Sequence, residues 1–295
     1  MLRFYGNALV FIIYKIDLAV ITVCNKRTPG LDLWETTLRA QNLTPTILGL
    51  GNSRALGHQS KEFGLKFVLL AEHLKTLRPE QVCLVTDGYD VVFHNCQQLV
   101  QNLHSLPKDK LLFAADVYEN PDQGYPYKTK HLRIPYLNSG IYAGTAQTIL
   151  SVLQAALDLP NPYALDDQRY FVQYMFKNPQ TILIDHGCQL FVCMAGLERK
   201  RDFDIKNSIL HVFDQSTPSV IHFQGFYKDT SWIKEIYSDT SIHTLAKKIH
   251  KNPNACQRQI GDSLEFIGSF FAPKPYAIVA SAVFLLLVFL FLLLV

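Results

Sequence analysis

The sequence predicts an α/β fold: a mostly parallel sheet flanked by helices. Three observations carry this expectation. Short apolar, β-branched runs recur at 17–24, 45–50, 82–85 and 111–115, the pattern of strands covered on both faces. Amphipathic stretches long enough for helices lie between the early runs, and Gly, Pro and Asn fall at the junctions. A helix between two strands carries the chain back to the same edge, so strand–helix alternation makes neighbouring strands parallel.

Taken in order, residues 8–13 are apolar but are soon interrupted by Lys15 and Asp17, which is short for a signal-peptide core. Residues 17–24 form the first predicted strand, followed by a polar loop containing Pro29 and Gly30. The spacing of Leu31, Trp34 and Leu38 places them on one face of a helix over 31–42. A second strand spans 45–50, and a glycine-containing loop leads to a helix over 61–77 that ends before Pro79. Residues 82–85 form the next strand, and Gly88 allows a sharp turn just past it. Further strands are expected at 111–115, 141–144, 181–184 and 219–222, with helices over 146–157 and 166–176. There is no internal repeat, so the simplest partition is one domain over 1–267, a linker over 268–275 and a final apolar segment over 276–295.

The chain has 295 residues, 48% hydrophobic and 18% charged, with a net charge of +3. That describes a globular domain with a large core and no like-charge track for nucleic acid. Lys247, Lys248 and Lys251 read as a solvated helix face. The six cysteines lack the paired spacing of a zinc site and are too sparse for a disulfide scaffold. Cys188 and Cys193 could pair only in an oxidising compartment. Residues 276–295 carry no charge, and twenty helical residues span about 30 Å, the thickness of a hydrocarbon core. The segment is expected to be a C-terminal transmembrane anchor.

The chemistry concentrates in the run VCLVTDGYDVVF at 82–93, where Asp87 and Asp90 interrupt an apolar strand and its continuation. Ligands of open α/β sheets bind at the carboxyl ends of strands. Two ionised carboxylates there need a compensating cation, and hard divalent ions take such oxygens together with substrate phosphates. Read alone, the pair is equally a turn with two solvated aspartates, since Asp-Gly is a common turn signal. Asp166 and Asp167 stand at a predicted helix start, where capping is as good a reading as function. His222 closes a strand and is followed by Gly225 and Lys228; a neutral imidazole can complete a metal shell, and lysine binds phosphate.

Together these segments resemble a known family. TDGYDVVF at 86–93, LFAAD at 112–116 ahead of Pro121, YLNSG at 136–140, Asp166-Asp167-Gln168 and the His222/Gly225/Lys228 spacing occur in the order found in the glycosyltransferase domain of the procollagen lysyl hydroxylases, multifunctional collagen-modifying enzymes. The resemblance covers roughly residues 17–230 and implies a glycosyltransferase A-type, Rossmann-like fold, a UDP-sugar donor and manganese or another divalent cation. It further implies that Asp87, Asp90 and His222 hold the metal, that Gly225 and Lys228 contact the diphosphate, and that Thr22 and Tyr89 lie against the uridine. Asn138, Asp166 and Asp167 would line the sugar and acceptor side. The implied reaction moves galactose or glucose from a UDP-hexose to a hydroxyl of a protein or glycan acceptor, such as hydroxylysine or galactosyl-hydroxylysine. An endomembrane location, in the ER or Golgi, follows from the resemblance and the anchor, with the side of the membrane left open. The chain departs from the family in three ways: it is too short to hold the companion iron-dependent hydroxylase domain, it has Asn120 where the family has Trp, and the apolar tail is outside the family pattern. Two other classes compete: a catalytically silent, membrane-tethered binding module, and a metal-dependent phosphoesterase.

Overall fold

The computed structural model describes residues 18–52, 64–119, 125–161, 166–213, 216–224 and 230–251, together with the backbone of a short antiparallel hairpin of β1 (Arg3–Tyr5) and β2 (Ala8–Val10). The main sheet contains β3 (Leu18–Val23), β4 (Pro45–Leu48), β5 (Val82–Thr86), β7 (Leu111–Asp116), β8 (Tyr136–Thr145) and β9 (Ile182–Asp185), in the order β4-β3-β5-β8-β7-β9. β3 runs parallel to β4 and β5, and β7 parallel to β9. β8 alone is reversed, antiparallel to both β5 and β7. The expected mostly parallel sheet is therefore present, with one long strand inserted against the grain.

Side-chain alternation explains why both faces are covered. From β3 and β5, Ile21, Val23, Cys83 and Val85 face one core, with Phe67 and Leu70 of α2 (Gly64–Leu74), Ile149 and Leu153 of α4 (Ala146–Leu157) and Phe171 of α5 (Asp167–Lys177). Val20 and Leu84 point the other way, to Trp34 and Leu38 of α1 (Pro29–Ala40) and to Leu99 and Leu103 of α3 (Gln97–His104). α1 starts where the sequence indicates: Thr28 caps it by accepting the Leu31 N–H at 3.2 Å, with Pro29 in the first turn.

A second, smaller sheet positions the site. It joins β6 (Val91–Phe93), β13 (Val220–His222) and β10 (Phe191–Cys193) in the order β10-β13-β6. A third core cluster, including Val92, Val192, Ile221, Phe223 and Trp232, packs it against α6 (Ile233–Ile236), α7 (Thr240–Lys251) and the hairpin of β11 (Phe203–Lys206) and β12 (Ile209–Val212). β8 is much longer than the expected 141–144 because Asn138 and Ser139 are buried in its first half with their polar groups bonded. Cys24, Cys83, Cys96, Cys188 and Cys193 are separate buried thiols, and burial pushes Cys24, Cys83 and Cys96 up to about 12. Among the described residues no helix is long and apolar enough to cross a membrane; the linker at 268–275 and the expected anchor at 276–295 lie outside them.

The end of β5 is fixed by a buried bond from Trp34 Nε1 to Thr86 Oγ1 at 2.7 Å, with the indole edge-on to Phe93. Trp34→Phe keeps an aromatic ring at the site but removes the donor and leaves a void where the indole was buried. The expected loss is about 1–3 kcal/mol, read from the urea midpoint at constant slope; an unmoved midpoint would show that Thr86 needs no such partner.

Candidate functional site

The site forms where the two sheets meet. Asp87 follows the last residue of β5, and its N–H donates to the Gly140 carbonyl of β8 at 2.7 Å. The turn after it is wedged in place. A Cβ on Gly88 would stand 2.5 Å from Cys24 Sγ and 2.6 Å from Thr22 Oγ1, and a Cβ on Gly30 would stand 2.0 Å from the Tyr89 carbonyl oxygen. Only hydrogen at these positions lets the loop lie this close to β3 and α1. The chain then enters β6, whose antiparallel register sets His222 opposite Val91, and the Phe223 N–H donates to the Asp90 carbonyl at 2.9 Å. Backbone pairing thus delivers the His222 ring to the residue beside Asp90. Gly140 makes room for the meeting, because a Cβ there would lie 2.3 Å from His222 Cε1 and 2.9 Å from Asp87 Oδ2.

The result is a compact set of ligand atoms. His222 Nε2 lies 3.3 Å from Asp90 Oδ1 and 3.8 Å from Asp87 Oδ2, and one atom from each of the three residues falls within 4.8 Å of the others. Nε2 is buried and has no hydrogen-bond partner, although a carboxylate oxygen is close. A buried polar atom without a partner is uncommon and calls for a reason. Two carboxylate oxygens and an imidazole nitrogen facing one point suit a divalent cation of the manganese or magnesium type, so the residues present fit such an ion. Nδ1 lies 3.9 Å from Cys193 Sγ, which gives the other face of the ring a soft neighbour. Burial opposes the imidazolium, but Asp90 and then Asp87 and Asp116 hold His222 above its usual value. Burial, followed by the charges of Asp90 and Asp167, holds the Asp87 carboxyl above the usual carboxylate range, against the pull of Lys66 and His222.

Lys66, in the first turn of α2, is the residue the sequence reading misses. Its Nζ donates to Asp87 Oδ1 at 2.8 Å and to Asp167 Oδ2 at 2.9 Å, joining the strand-end carboxylate to the start of α5. Burial works against its charge, yet Asp167 and Asp87 outweigh burial and hold it well above the usual lysine value. The signal was visible: Lys66 is the one cation in the otherwise apolar run GLKFVLLA. The two adjacent aspartates of α5 separate in role. Asp166 caps the helix, accepting the Arg169 N–H at 2.8 Å, whereas Asp167 reaches the site. Gln168 fastens α5 to β8 by accepting from Ser139 N at 2.6 Å and donating to Leu137 O at 2.5 Å.

A second polar cluster flanks the ligand set. Asp116 is buried, and its Oδ2 accepts from Asn138 Nδ2 at 2.8 Å and Gln224 Nε2 at 3.1 Å. The amide oxygen of Asn138, Oδ1, accepts the Gly140 N–H at 2.9 Å, so Asn138 braces the strand that frames the site. On the opposite flank Thr22 is fully buried beneath Gly88, and the Tyr89 hydroxyl donates to Asn25 Oδ1 at 3.2 Å. Thr22 therefore forms the floor under the turn rather than exposed surface. Gly225, Lys228 and Asn120 lie outside the described residues.

Lys66→Met tests the charge balance. It leaves Asp87 and Asp167 facing each other without the shared cation, so the Asp87 carboxyl, already raised, rises further. Groups so raised destabilise the fold as pH climbs past their unfolded value near about 4. Because Asp87 is 39% exposed, the deficit is discounted to about 1–3 kcal/mol at pH 7. It shrinks as pH falls toward about 4, measured as urea stability against pH. A deficit independent of pH would contradict the pairing.

With this geometry in view, similarity to known proteins becomes informative. A sequence profile for the family described as PLOD GT domain matches residues 14–236. The chain is 28% identical over 225 residues to a procollagen-lysine,2-oxoglutarate 5-dioxygenase of Drosophila melanogaster, covering 71% of this chain and 30% of that protein. It is 26% identical over 242 residues to procollagen-lysine,2-oxoglutarate 5-dioxygenase 2 of Mus musculus, covering 74% and 32%. It thus spans about a third of the length of these relatives. Among solved structures it is similar to the galactosyltransferase LgtC in complex with donor and acceptor sugar analogues, at 11% identity and a TM-score of 0.44, over 78% of this chain and 95% of that one. The profile spans both sheets and all three of Asp87, Asp90 and His222, and the chain belongs to the family of glycosyltransferase domains found in the procollagen lysyl hydroxylases.

Proposed function

We propose that this protein transfers a hexose, galactose or glucose, from a UDP-sugar to a hydroxyl acceptor, with a divalent cation of the manganese type held by Asp87, Asp90 and His222. The observation that carries the reading is the convergence of these three side chains on one point with Nε2 left unpartnered, in a chain whose family transfers sugars. The bound cation supplies Lewis-acid stabilisation of the negative charge that builds on the diphosphate.

The chain's own residues do the rest. Tyr89 offers its ring to the uridine, and Thr22 supports the Gly88 turn beneath it. Gly225 and Lys228 follow His222 closely enough in sequence to reach the diphosphate, where Lys228 adds a second positive charge. In the reaction the bond from the anomeric carbon to the diphosphate oxygen breaks and its electron pair leaves on UDP. The acceptor hydroxyl oxygen bonds to that carbon, and its proton passes to the departing phosphate oxygen. The sugar is oxocarbenium-like in between, and Asp167, oriented by Lys66, stabilises it. Asn138 lies toward the sugar and acceptor side, and Asp166 fixes the start of α5 so that Asp167 points inward. Hydroxylysine and galactosyl-hydroxylysine of collagen-like protein are the protein and glycan acceptors we favour on family grounds. We further propose that residues 276–295 anchor the domain to an endomembrane, on the strength of twenty uncharged, largely apolar residues.

The test incubates the purified protein with UDP-galactose and UDP-glucose, with and without manganese, and follows UDP release. One donor is expected to be consumed only with the cation. Asp90→Ala is expected to lose about a hundredfold or more in turnover, a few kcal/mol of transition-state stabilisation, with an unchanged circular dichroism spectrum. Turnover retained in that variant would sink the metal assignment.

A further inference from the structure

The sheet order sets the site's parts in a row: Thr22 at the end of β3, Asp87 after β5, Asn138 on β8 and Asp116 at the end of β7. Past Asp116, on the flank away from Thr22 and Tyr89, stands Tyr118. It is 58% exposed, and it is the one aromatic among the strongly exposed large side chains of the described residues, beside Leu50, Leu159 and Leu183. Those three are aliphatic and isolated in sequence from the site.

Tyr118 is exposed but not loose. Its N–H donates to Asp116 Oδ1 at 3.1 Å, and the other oxygen of that buried carboxylate holds Asn138 and Gln224. Its ring rests on Gly196, where a Cβ would lie 3.0 Å from both Cε2 and Oη. Gly196 has φ +77, a conformation that favours glycine, in a turn that begins at Met194, whose N–H donates to the His222 carbonyl at 2.8 Å. The residue is thus tied at its backbone to Asp116, and the phenol end of its ring lies against the turn that follows β10, the strand paired with that of His222. An anchored, largely exposed aromatic side chain costs little side-chain entropy when it takes a ligand.

Resting on the donor reading above, we propose that Tyr118 is the platform of an acceptor subsite and that the acceptor is a glycan whose terminal pyranose stacks on this ring. The C–H groups on the apolar face of a pyranose complement the negative face of an aromatic ring, while the sugar hydroxyls stay wet at its rim. A bare aliphatic hydroxyl offers no such face and gains nothing from the ring.

The experiment uses the full chain with its UDP-hexose and manganese, and measures three rates: donor hydrolysis by water, transfer to methyl β-galactoside or methyl β-glucoside, and transfer to free hydroxylysine. Tyr118→Ala is expected to raise KM for the preferred glycoside about five- to tenfold and to leave donor hydrolysis and any transfer to hydroxylysine within about twofold. Tyr118→Phe keeps the face and is expected to restore the glycoside KM. Saturation-transfer NMR of the glycoside, without donor, is expected to show contact in the wild type and its loss in Tyr118→Ala. Intact donor hydrolysis with an unmoved glycoside KM in Tyr118→Ala, or with transfer to hydroxylysine and none to glycosides, overturns the subsite alone. A wild-type protein that consumes no UDP-hexose overturns the donor reading and the subsite with it.

Discussion

The site depends on how three carboxylates are held in one cleft. Asp87, Asp90 and Asp167 would repel one another in a half-buried setting, and burial already penalises each charge. One fixed cation, Lys66, bridges Asp87 and Asp167. Asp90 meets His222 instead, and that ring can either carry a proton or offer its nitrogen to a metal. On the Asp90 side the imidazole of His222 is the group that faces the carboxylate. A divalent ion there, as proposed, would relieve the repulsion and take Nε2 as a ligand in place of a proton.

Backbone geometry, more than side-chain reach, makes this possible. Asp90 ends the loop that starts β6, and the β6–β13 register leaves no choice about which residue faces it. Glycines then set the distances: Gly88 lets the loop settle onto Thr22 and Cys24, Gly30 admits the Tyr89 carbonyl, and Gly140 lets the imidazole approach Asp87. Buried polar groups such as Asp116, Asn138 and Gln168 bind β7, β8 and α5 into one frame. A bonded network of this kind resists movement, because any member that moves leaves a partner unpaired.

Much of this was legible in the residues. The strands of the main sheet announce themselves as apolar β-branched runs, and the helices over 31–42, 146–157 and 166–176 match α1, α4 and α5 within a residue or two. Asp87 and Asp90 stand out by their chemistry, His222 joins them through the family resemblance, and the structure brings the three together. Other features escaped for physical reasons. β6 and β10 are three residues each, too short for a period to register, and α3 is short and polar on its open face. The first half of β8 is hidden because Asn138, Ser139 and Gly140 break the apolar pattern, and the partners that make Asn138 and Ser139 acceptable in the core, Asp116 and Gln168, are distant in sequence. Lys66 could not be assigned because its partners are 21 and 101 residues away. Asp166 and Asp167 look alike in the sequence, and only the direction of the helix axis makes one a cap and the other part of the cleft.

The central claim is that one cation is bound by two carboxylates and the imidazole of His222. Pulsed electron paramagnetic resonance of the manganese-loaded protein reads the nitrogen ligands directly. The account predicts a single directly coordinated ¹⁴N, which disappears in His222→Ala while manganese still binds weakly through Asp87 and Asp90. A manganese spectrum with no coordinated nitrogen, or one unchanged by that substitution, would contradict it.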